Sequence, residues 1–171
     1  MEVIETSRLL LTPLTSDFLT ERYVNWLNDP DVNMYMYPRN HKESIESLKI
    51  YIENISKNNI LSWAIVLKNS NKHIGNVKID PVDRITKSGE YGIMIGDKSE
   101  WGKGYAREAS IELIHYLFKK KQLSFITLGV NSKNVSAISL YTKMGFQVFD
   151  EYEELINNKS QHVLRMIFHE K

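Results

Sequence analysis

The segment Trp101-Gly102-Lys103-Gly104-Tyr105-Ala106-Arg107-Glu108-Ala109 sets two glycines around a lysine, between a β-like run and a helical one. Upstream, Gly89-Glu90-Tyr91-Gly92-Ile93-Met94-Ile95-Gly96 reads as a strand, followed by a loop over 97–101. Downstream, Ala106, Ala109, Leu113 and Leu117, with Ile111, Ile114 and Phe118, spread around a helix over 104–120, as expected for a helix covering a sheet. Glycine reaches backbone angles that turn successive N–H groups toward one point, and it lets a ligand approach closely. The helix adds unbonded N–H groups and the positive end of its dipole, so the place suits a phosphate. Lys103 and Arg107 add charge, although a turn with no ligand would use the same two glycines. Two familiar phosphate loops are excluded. The Walker pattern needs Ser or Thr after Gly-Lys, and here Gly104 follows Lys103. The dinucleotide fingerprint needs Gly or Ala three positions after its second glycine, where Arg107 stands, and a ribose-binding acid about twenty residues on, which is missing.

On the N-terminal side, Arg8-Leu9-Leu10-Leu11-Thr12 is a short strand stopped by Pro13. Thr15 or Ser16 caps a helix carrying Phe18, Leu19, Tyr23, Trp26 and Leu27, which Asn28-Asp29-Pro30 ends. An irregular aromatic stretch occupies 34–40. A second helix is predicted over 41–57, with Ile45, Leu48, Ile52 and Ile55 at helical spacing. Residues 60–68 and 73–80 form a hairpin around Asn69-Ser70-Asn71-Lys72, and a polar loop over 81–88 leads to the strand at 89. On the C-terminal side come a strand over 124–130, a helix over 134–144 and strands over 146–153 and 162–168, the last two joined by a turn at 157–160. With no repeat, low-complexity tract or Pro/Gly-rich linker, the pattern predicts one mixed α/β domain spanning 1–171, with about seven strands.

The bulk properties narrow the function classes. A chain of 171 residues, 42% hydrophobic and 25% charged, builds a sizeable core and is neither disordered nor fibrous. A net charge of +1 gives no global field toward nucleic acid or anionic lipid, so neither is expected as a partner. Without cysteine there is no disulfide, thiol nucleophile or Cys-ligated zinc, and the five scattered histidines offer no ligand spacing, so no metal is expected. The start, Met1-Glu2-Val3-Ile4-Glu5-Thr6, lacks a signal-peptide pattern, and no apolar run approaches ~20 residues. A cytoplasmic protein without a membrane partner is the expectation.

A second motif lies one strand beyond the glycine loop. In Asn134-Val135-Ser136-Ala137-Ile138-Ser139-Leu140-Tyr141-Thr142-Lys143-Met144-Gly145-Phe146, Asn134 caps a helix, Gly145 ends it, and Tyr141 shares a face with Asn134. Taken alone this is a capped helix with a core tyrosine. Together, the two motifs resemble the GNAT N-acetyltransferases. Residues 101–109 are similar to that family's Gln/Arg-x-x-Gly-x-Gly/Ala pyrophosphate loop, with Trp101 in place of Gln or Arg. Residues 134–146 are similar to its Asn-x-x-Ala-x-x-Leu-Tyr-x-x-x-Gly-Phe segment. The tryptophan is shared with a branch containing ribosomal-protein N-terminal acetyltransferases.

The resemblance implies an α/β (α+β) GNAT fold: a mixed, mostly antiparallel sheet with helices on both faces and a splayed strand pair holding the coenzyme. It implies acetyl-CoA as co-substrate and direct transfer to an amine in a ternary complex. Trp101, Gly102, Lys103, Gly104, Tyr105 and Ala106 would hold the pyrophosphate, with Asn134 nearby. Backbone groups of Ile93, Met94 and Ile95 would pair with the pantetheine arm, and Gly92 and Gly96 would help the strand splay. Tyr141 is the candidate general acid, because a phenol is protonated at neutral pH. For the base, the resemblance offers two positions. The one five residues before the helix-capping asparagine is Gly129, so that solution is absent; the one eleven residues before Trp101 is Glu90. Strand alternation puts Glu90 and Gly92 on one face, and a water chain would be the alternative base.

The acceptor is less specified. Family members recognise it with the first two helices and their connection, here Asn28, Tyr35, Tyr37 and His41, with Asn33 and Arg39 beside them. Stacking faces plus hydrogen bonds suit a sugar, a nucleotide-sugar or a peptide terminus, and the segment resembles acetyltransferases of nucleotide-linked amino sugars, which makes such an amine the first expectation. N-terminal acetylation of a ribosomal protein or peptide is the nearest alternative. Polyamine acetylation is another, with Asp29, Asp31, Glu43 and Glu46 as available acids. A non-catalytic acyl-CoA sensor is the reading from another class. The family often dimerises, so a homodimer is open.

Overall fold

Short apolar runs build the central strands of this chain, and side-chain caps fix where most of its helices begin. The computed structural model describes residues 1–36, 41–58, 60–156 and 159–170; Tyr37 and Arg39, named above, lie outside them. The strands are β1 (Ile4–Glu5), β2 (Leu9–Pro13), β3 (Leu61–Leu67), β4 (Lys72–Asp83), β5 (Ser88–Ile95), β6 (Phe125–Asn131), β7 (Gln147–Ile156) and β8 (Lys159–His169). They form one eight-stranded sheet in the order β1-β2-β3-β4-β5-β6-β8-β7. Only β5 and β6 run parallel; the other neighbours are antiparallel. The strand beyond the expected seven is β1, whose two residues pair with Leu10 and Leu11 and are too few to show a periodicity.

The helices are α1 (Glu21–Asn28), α2 (Pro30–Asn33), α3 (Ile45–Lys57), α4 (Tyr105–Lys121) and α5 (Val135–Met144). The first expected helix is divided. Thr15 caps only a 3-10 turn at Ser16–Phe18, and Thr20 accepts from the N–H of Tyr23 to start α1 anew. The second begins at Ile45 rather than at 41, because Ser44 and Ser47 form a reciprocal capping box. Strand β4 runs past Pro81 to Asp83. Proline has no N–H to pair, and the register with β5 shifts between Ile79 and Val82.

Helices cover both faces of the sheet. Ala109, Leu113 and Leu117 of α4 and Tyr141 of α5 pack with Leu9, Leu11, Ile65, Val77 and Tyr91 on one face. Tyr23, Val24 and Trp26 of α1 and Leu48 and Ile52 of α3 pack with Ala64 and Val66 on the other. Gly96 belongs to this second contact: a Cβ there would stand 2.2 Å from Cδ2 of Trp26. Its glycine therefore answers the packing of α1 on the end of β5. A Cβ on Gly92 would meet nothing closer than Lys78 at 3.8 Å.

His73 is buried where α1 meets the sheet, with its ring against Phe18, Tyr23 and Trp26. Its Nε2 faces the Gly75 carbonyl at 2.9 Å and Asn76 Oδ1 at 3.1 Å, both acceptors, so Nε2 carries the proton. Burial pushes the imidazole from 6.5 down to about 4, against those two hydrogen bonds. Between those values the unfolded chain takes up a proton that the folded chain refuses. The contribution is complete above about pH 6.5 and is lost as the pH falls toward 4. Denaturant unfolding at pH 7 and pH 5 should therefore differ by about 2 kcal/mol, and His73→Gln should flatten this window. Wild-type stability unchanged between the two pH values would contradict the assignment.

Candidate active site

The parallel pair β5/β6 separates part-way along. Its facing residues are Ser88–Phe125, Gly89–Ile126 and Glu90–Thr127, and the pairing goes no further. On the other side of β5, the Gly96 N–H donates to the Ile74 carbonyl at 2.9 Å, which makes Gly75 and Ile95 a non-hydrogen-bonded pair. Counting back by twos, Met94 and Gly92 direct their backbone groups to Asn76 and Lys78 of β4, while Ile93 and Ile95 turn theirs toward β6. Of the three residues expected to offer backbone groups to the pantetheine arm, Ile93 and Ile95 face the gap. Met94 does not, because its backbone is engaged with β4.

At the far end of β5, the Trp101 indole Nε1 donates to the Ile95 carbonyl at 2.7 Å, tying the glycine loop to the strand. Gly102 and Gly104 both have positive φ, +75° and +81°. Gly102 has nothing within 4 Å of an added Cβ, so conformation alone requires glycine there. Gly104 precedes α4 and no side chain caps the helix, which leaves the first N–H groups of Tyr105 and Ala106 available. Lys103 pairs with Glu100 at 2.8 Å, and Arg107 is exposed. Arg8 also belongs to the loop: Nη1 donates to the Lys103 carbonyl at 3.0 Å, Nε donates to Glu108 at 2.6 Å, and the guanidinium lies 4.4 Å from the Tyr105 ring centroid. Burial pushes the Glu108 carboxyl up, but hydrogen bonds from Thr6 and Arg8 outweigh that and hold it below the usual range.

On the α4/α5 face of the gap, Asn134 Oδ1 accepts from the Ala137 N–H and the Ser136 hydroxyl, so its oxygen caps α5. Seven residues on, Tyr141 is 8% exposed, with its ring 6.0 Å from Tyr91 and 5.8 Å from Phe146. Burial raises the Tyr141 phenol to about 12, which keeps it protonated at any physiological pH. Tyr91 points to the same face, hydrogen-bonded to Ser110 at 2.5 Å.

The opposite face holds a cleft of about 320 Å³ that reaches the backbone at Tyr91, Gly92 and Gly129. Its charged lining is Asp80, Glu90, Glu154, Lys78 and Arg165. Both cations are paired there, Lys78 with Asp80 at 2.8 Å and Arg165 with Glu90 through two bonds of 2.8 and 2.9 Å. Tyr35 lines this cleft, and its hydroxyl donates to the Lys133 carbonyl at 3.2 Å. Asn28 is not among the residues lining this cleft; at the end of α1 it lines a separate groove with Glu43 and Glu46. Its amide bonds the carbonyls of Val24 and Glu43 and accepts from the Glu43 N–H, so it fastens α1 to the segment before α3. His41 is exposed and stands 3.4 Å from Glu43. Of the acids expected near a polycation, Asp29 and Asp31 hold Lys98, while Glu46 and the buried Glu43, which accepts from Ser47, line that groove with Asn28. A larger groove of about 750 Å³ lies at the other end of β5, beside Leu14, Ile55 and Leu123. Among the described residues no cluster of His, Asp or Glu could hold a metal ion, and no helix is long and apolar enough to cross a membrane.

A gap lined with unpaired strand amides, leading from an uncapped helix start, fits a phosphate-bearing chain that itself carries amides. The model of the Acetyltransferase (GNAT) domain matches residues 8–147. The chain belongs to the GNAT acetyltransferase family. It is an acetyl-CoA-dependent N-acetyltransferase. The spermidine N(1)-acetyltransferase of Escherichia coli is 28% identical over 159 residues, which cover 91% of this chain and 83% of that protein. An uncharacterized N-acetyltransferase of Bacillus licheniformis is 28% identical over 150 residues, 86% of this chain and 83% of the relative. The crystal structure of spermidine N-acetyltransferase from Vibrio cholerae, in complex with CoA and spermine, matches with a TM-score of 0.85 at 28% identity, covering 95% of this chain and 96% of that one. The ribosomal-protein-S5-alanine acetyltransferase of Vibrio fischeri shares the fold, with a TM-score of 0.85 at 20% identity over 99% of this chain and 97% of that one.

Sequence reasoning missed Arg8, Arg165 and Thr127 in this GNAT site. All three have partners distant in sequence, and Arg8 was read only as the first residue of a strand. The loop geometry is open to a direct test. Gly102→Ala adds no clash but disfavours the left-handed conformation by about 1–2 kcal/mol, so calorimetry should show CoA binding weakened about 5- to 30-fold. Unchanged affinity would mean that the backbone cradle does not hold the coenzyme.

Proposed function

We propose that this enzyme acetylates a primary amine of a small polycation of the polyamine class. The observation that carries the reading is the charge of the acceptor cleft. Three carboxylates line it against two cations, and both cations are already neutralised by carboxylates within it. A nucleotide-linked amino sugar would bring a diphosphate to a cleft with no unpaired cation among its described lining residues, so polyamine acetylation is preferred over that first expectation. The spermidine acetyltransferases among its relatives support the same direction.

Acetyl-CoA supplies an acetyl thioester, whose carbonyl carbon the amine nitrogen attacks as the C–N bond forms and the C–S bond breaks. The Ile93 N–H, turned into the gap, donates to the carbonyl oxygen as charge develops there. Glu90 receives the acceptor nitrogen from the cleft side and takes its proton directly or through one water. Tyr141 Oη, held protonated by burial, gives its proton at the sulfur and is reprotonated from solvent. Tyr35 and Tyr152 supply faces for the carbon chain and its distal ammonium.

A thiol-release assay with spermidine, a nucleotide-linked amino sugar and an alanine-terminated peptide separates the readings. Spermidine should turn over fastest, and Tyr141→Phe should lower kcat about 10²- to 10⁴-fold with CoA affinity retained. Preference for the amino sugar or the peptide would refute the polyamine assignment. Full kcat in Tyr141→Phe would refute the acid. CoA binding with no turnover of any amine would favour a sensor.

A further inference from the structure

Arg165 stands on β8, opposite Gly129 of β6 on one side and Asp150 of β7 on the other. Its partner Glu90 belongs to β5, so the side chain has to cross β6 to reach it. Gly129 opens that passage. A Cβ at this position would lie 3.3 Å from Arg165 Nη1, tight enough to displace the guanidinium by a few tenths of an ångström. Having crossed, the guanidinium donates from Nη1 and Nη2 to the two Glu90 oxygens at 2.8 and 2.9 Å, and Nη2 lies 3.4 Å from Thr127 Oγ1. Glu90 and Thr127 are the last facing residues before β5 and β6 part. The guanidinium therefore sits at the fork where the gap opens.

The geometry decides what such a pair is for. An ionised carboxylate offers about four lone-pair sites, and the guanidinium fork takes two of them in one plane. The other two are left to the cleft, where the Glu90 side chain is 39% exposed while that of Arg165 is 21% exposed. A partly exposed ion pair contributes little to stability. A planar two-point contact does fix a carboxylate's orientation, which a single ammonium contact does not.

We propose that Arg165 is a positioning residue for catalysis: reaching across Gly129, it aims the free lone pairs of Glu90 at the acceptor nitrogen at the mouth of the gap. The inference rests on the reading of Glu90 as the group that receives the acceptor amine. It also gives the missing side chain at 129 a use. Position 129 is then the opening through which an arginine orients a carboxylate two strands away.

The test is a kinetic double-mutant cycle on the full chain, with spermidine, or whichever amine the wild type turns over, as acceptor. Arg165→Gln should lower kcat about 10- to 100-fold, as misplacement of a reacting group does, while KM for acetyl-CoA stays within about twofold. Arg165→Lys should recover part of the loss. In the Glu90→Gln background, Arg165→Gln should cost less than about twofold more, because the arginine then has nothing to aim. If Arg165→Gln fails to fold, Gly129→Ala crowds the same guanidinium and should lower kcat about 3- to 10-fold with the same KM signature. Losses that multiply in the double variant, or a full kcat in Arg165→Gln, would overturn the proposal. A full kcat in Glu90→Gln with spermidine turnover intact would overturn it too, while leaving the polyamine assignment standing. Turnover of a different amine would sink that assignment and still let the cycle decide on Arg165.

Discussion

The structure depends on one interruption: β5 and β6 stop pairing after Glu90 and Thr127 while β5 stays bonded to β4. A strand backbone must place its N–H and C=O groups somewhere, and leaving them unbonded inside a protein is costly. The backbone of Ile93 and the Ile95 N–H turn into the gap, so this stretch of β5 is a template for another amide-bearing chain. Three contacts hold the interruption in place. Arg165 fixes the fork from β8, the Trp101 indole takes the Ile95 carbonyl at the far end, and Trp26 seats on Gly96 just beyond.

The two faces of the sheet then divide the chemistry. Alternation along β5 sends Tyr91 toward α4 and α5, beside Tyr141, and sends Glu90 into the cleft that Tyr35 and Tyr152 border. A buried phenol sits on one side of the gap and a carboxylate on the other, so the proposed acid and base would approach the reacting atoms from opposite faces. Their environments differ accordingly. Burial raises the Tyr141 phenol and keeps its proton in place, while a guanidinium orients the carboxylate at the cleft's edge.

How much of this was legible in the sequence follows from the range of each interaction. The glycine loop could be read because Gly102 and Gly104 satisfy a local requirement, a left-handed backbone ahead of a helix. The Asn134 cap and the Gly145 stop are local in the same way. The alternation that separates Glu90 from Tyr91 is also local. Arg165 was not legible, since its partner is seventy-five residues away and hydrophobic period says nothing about polar contacts across a sheet. The clamp made by Asn28 was hidden for the same reason: a polar residue at a helix end suits a ligand and a structural clamp equally, and its bonds to Glu43 lie fifteen residues away. The pairing of Asp29 and Asp31 with Lys98 was hidden likewise, because Lys98 lies far along the chain from both.

Residue-resolved amide hydrogen exchange on the free protein and its CoA complex examines the interruption most directly. The Ile93 and Ile95 amides should exchange quickly in the free protein and become protected when CoA binds, while Met94, bonded to β4, should be slow in both states. Protection of Ile93 and Ile95 without CoA, or its absence when CoA is bound, would contradict a coenzyme site built on the unpaired edge of β5.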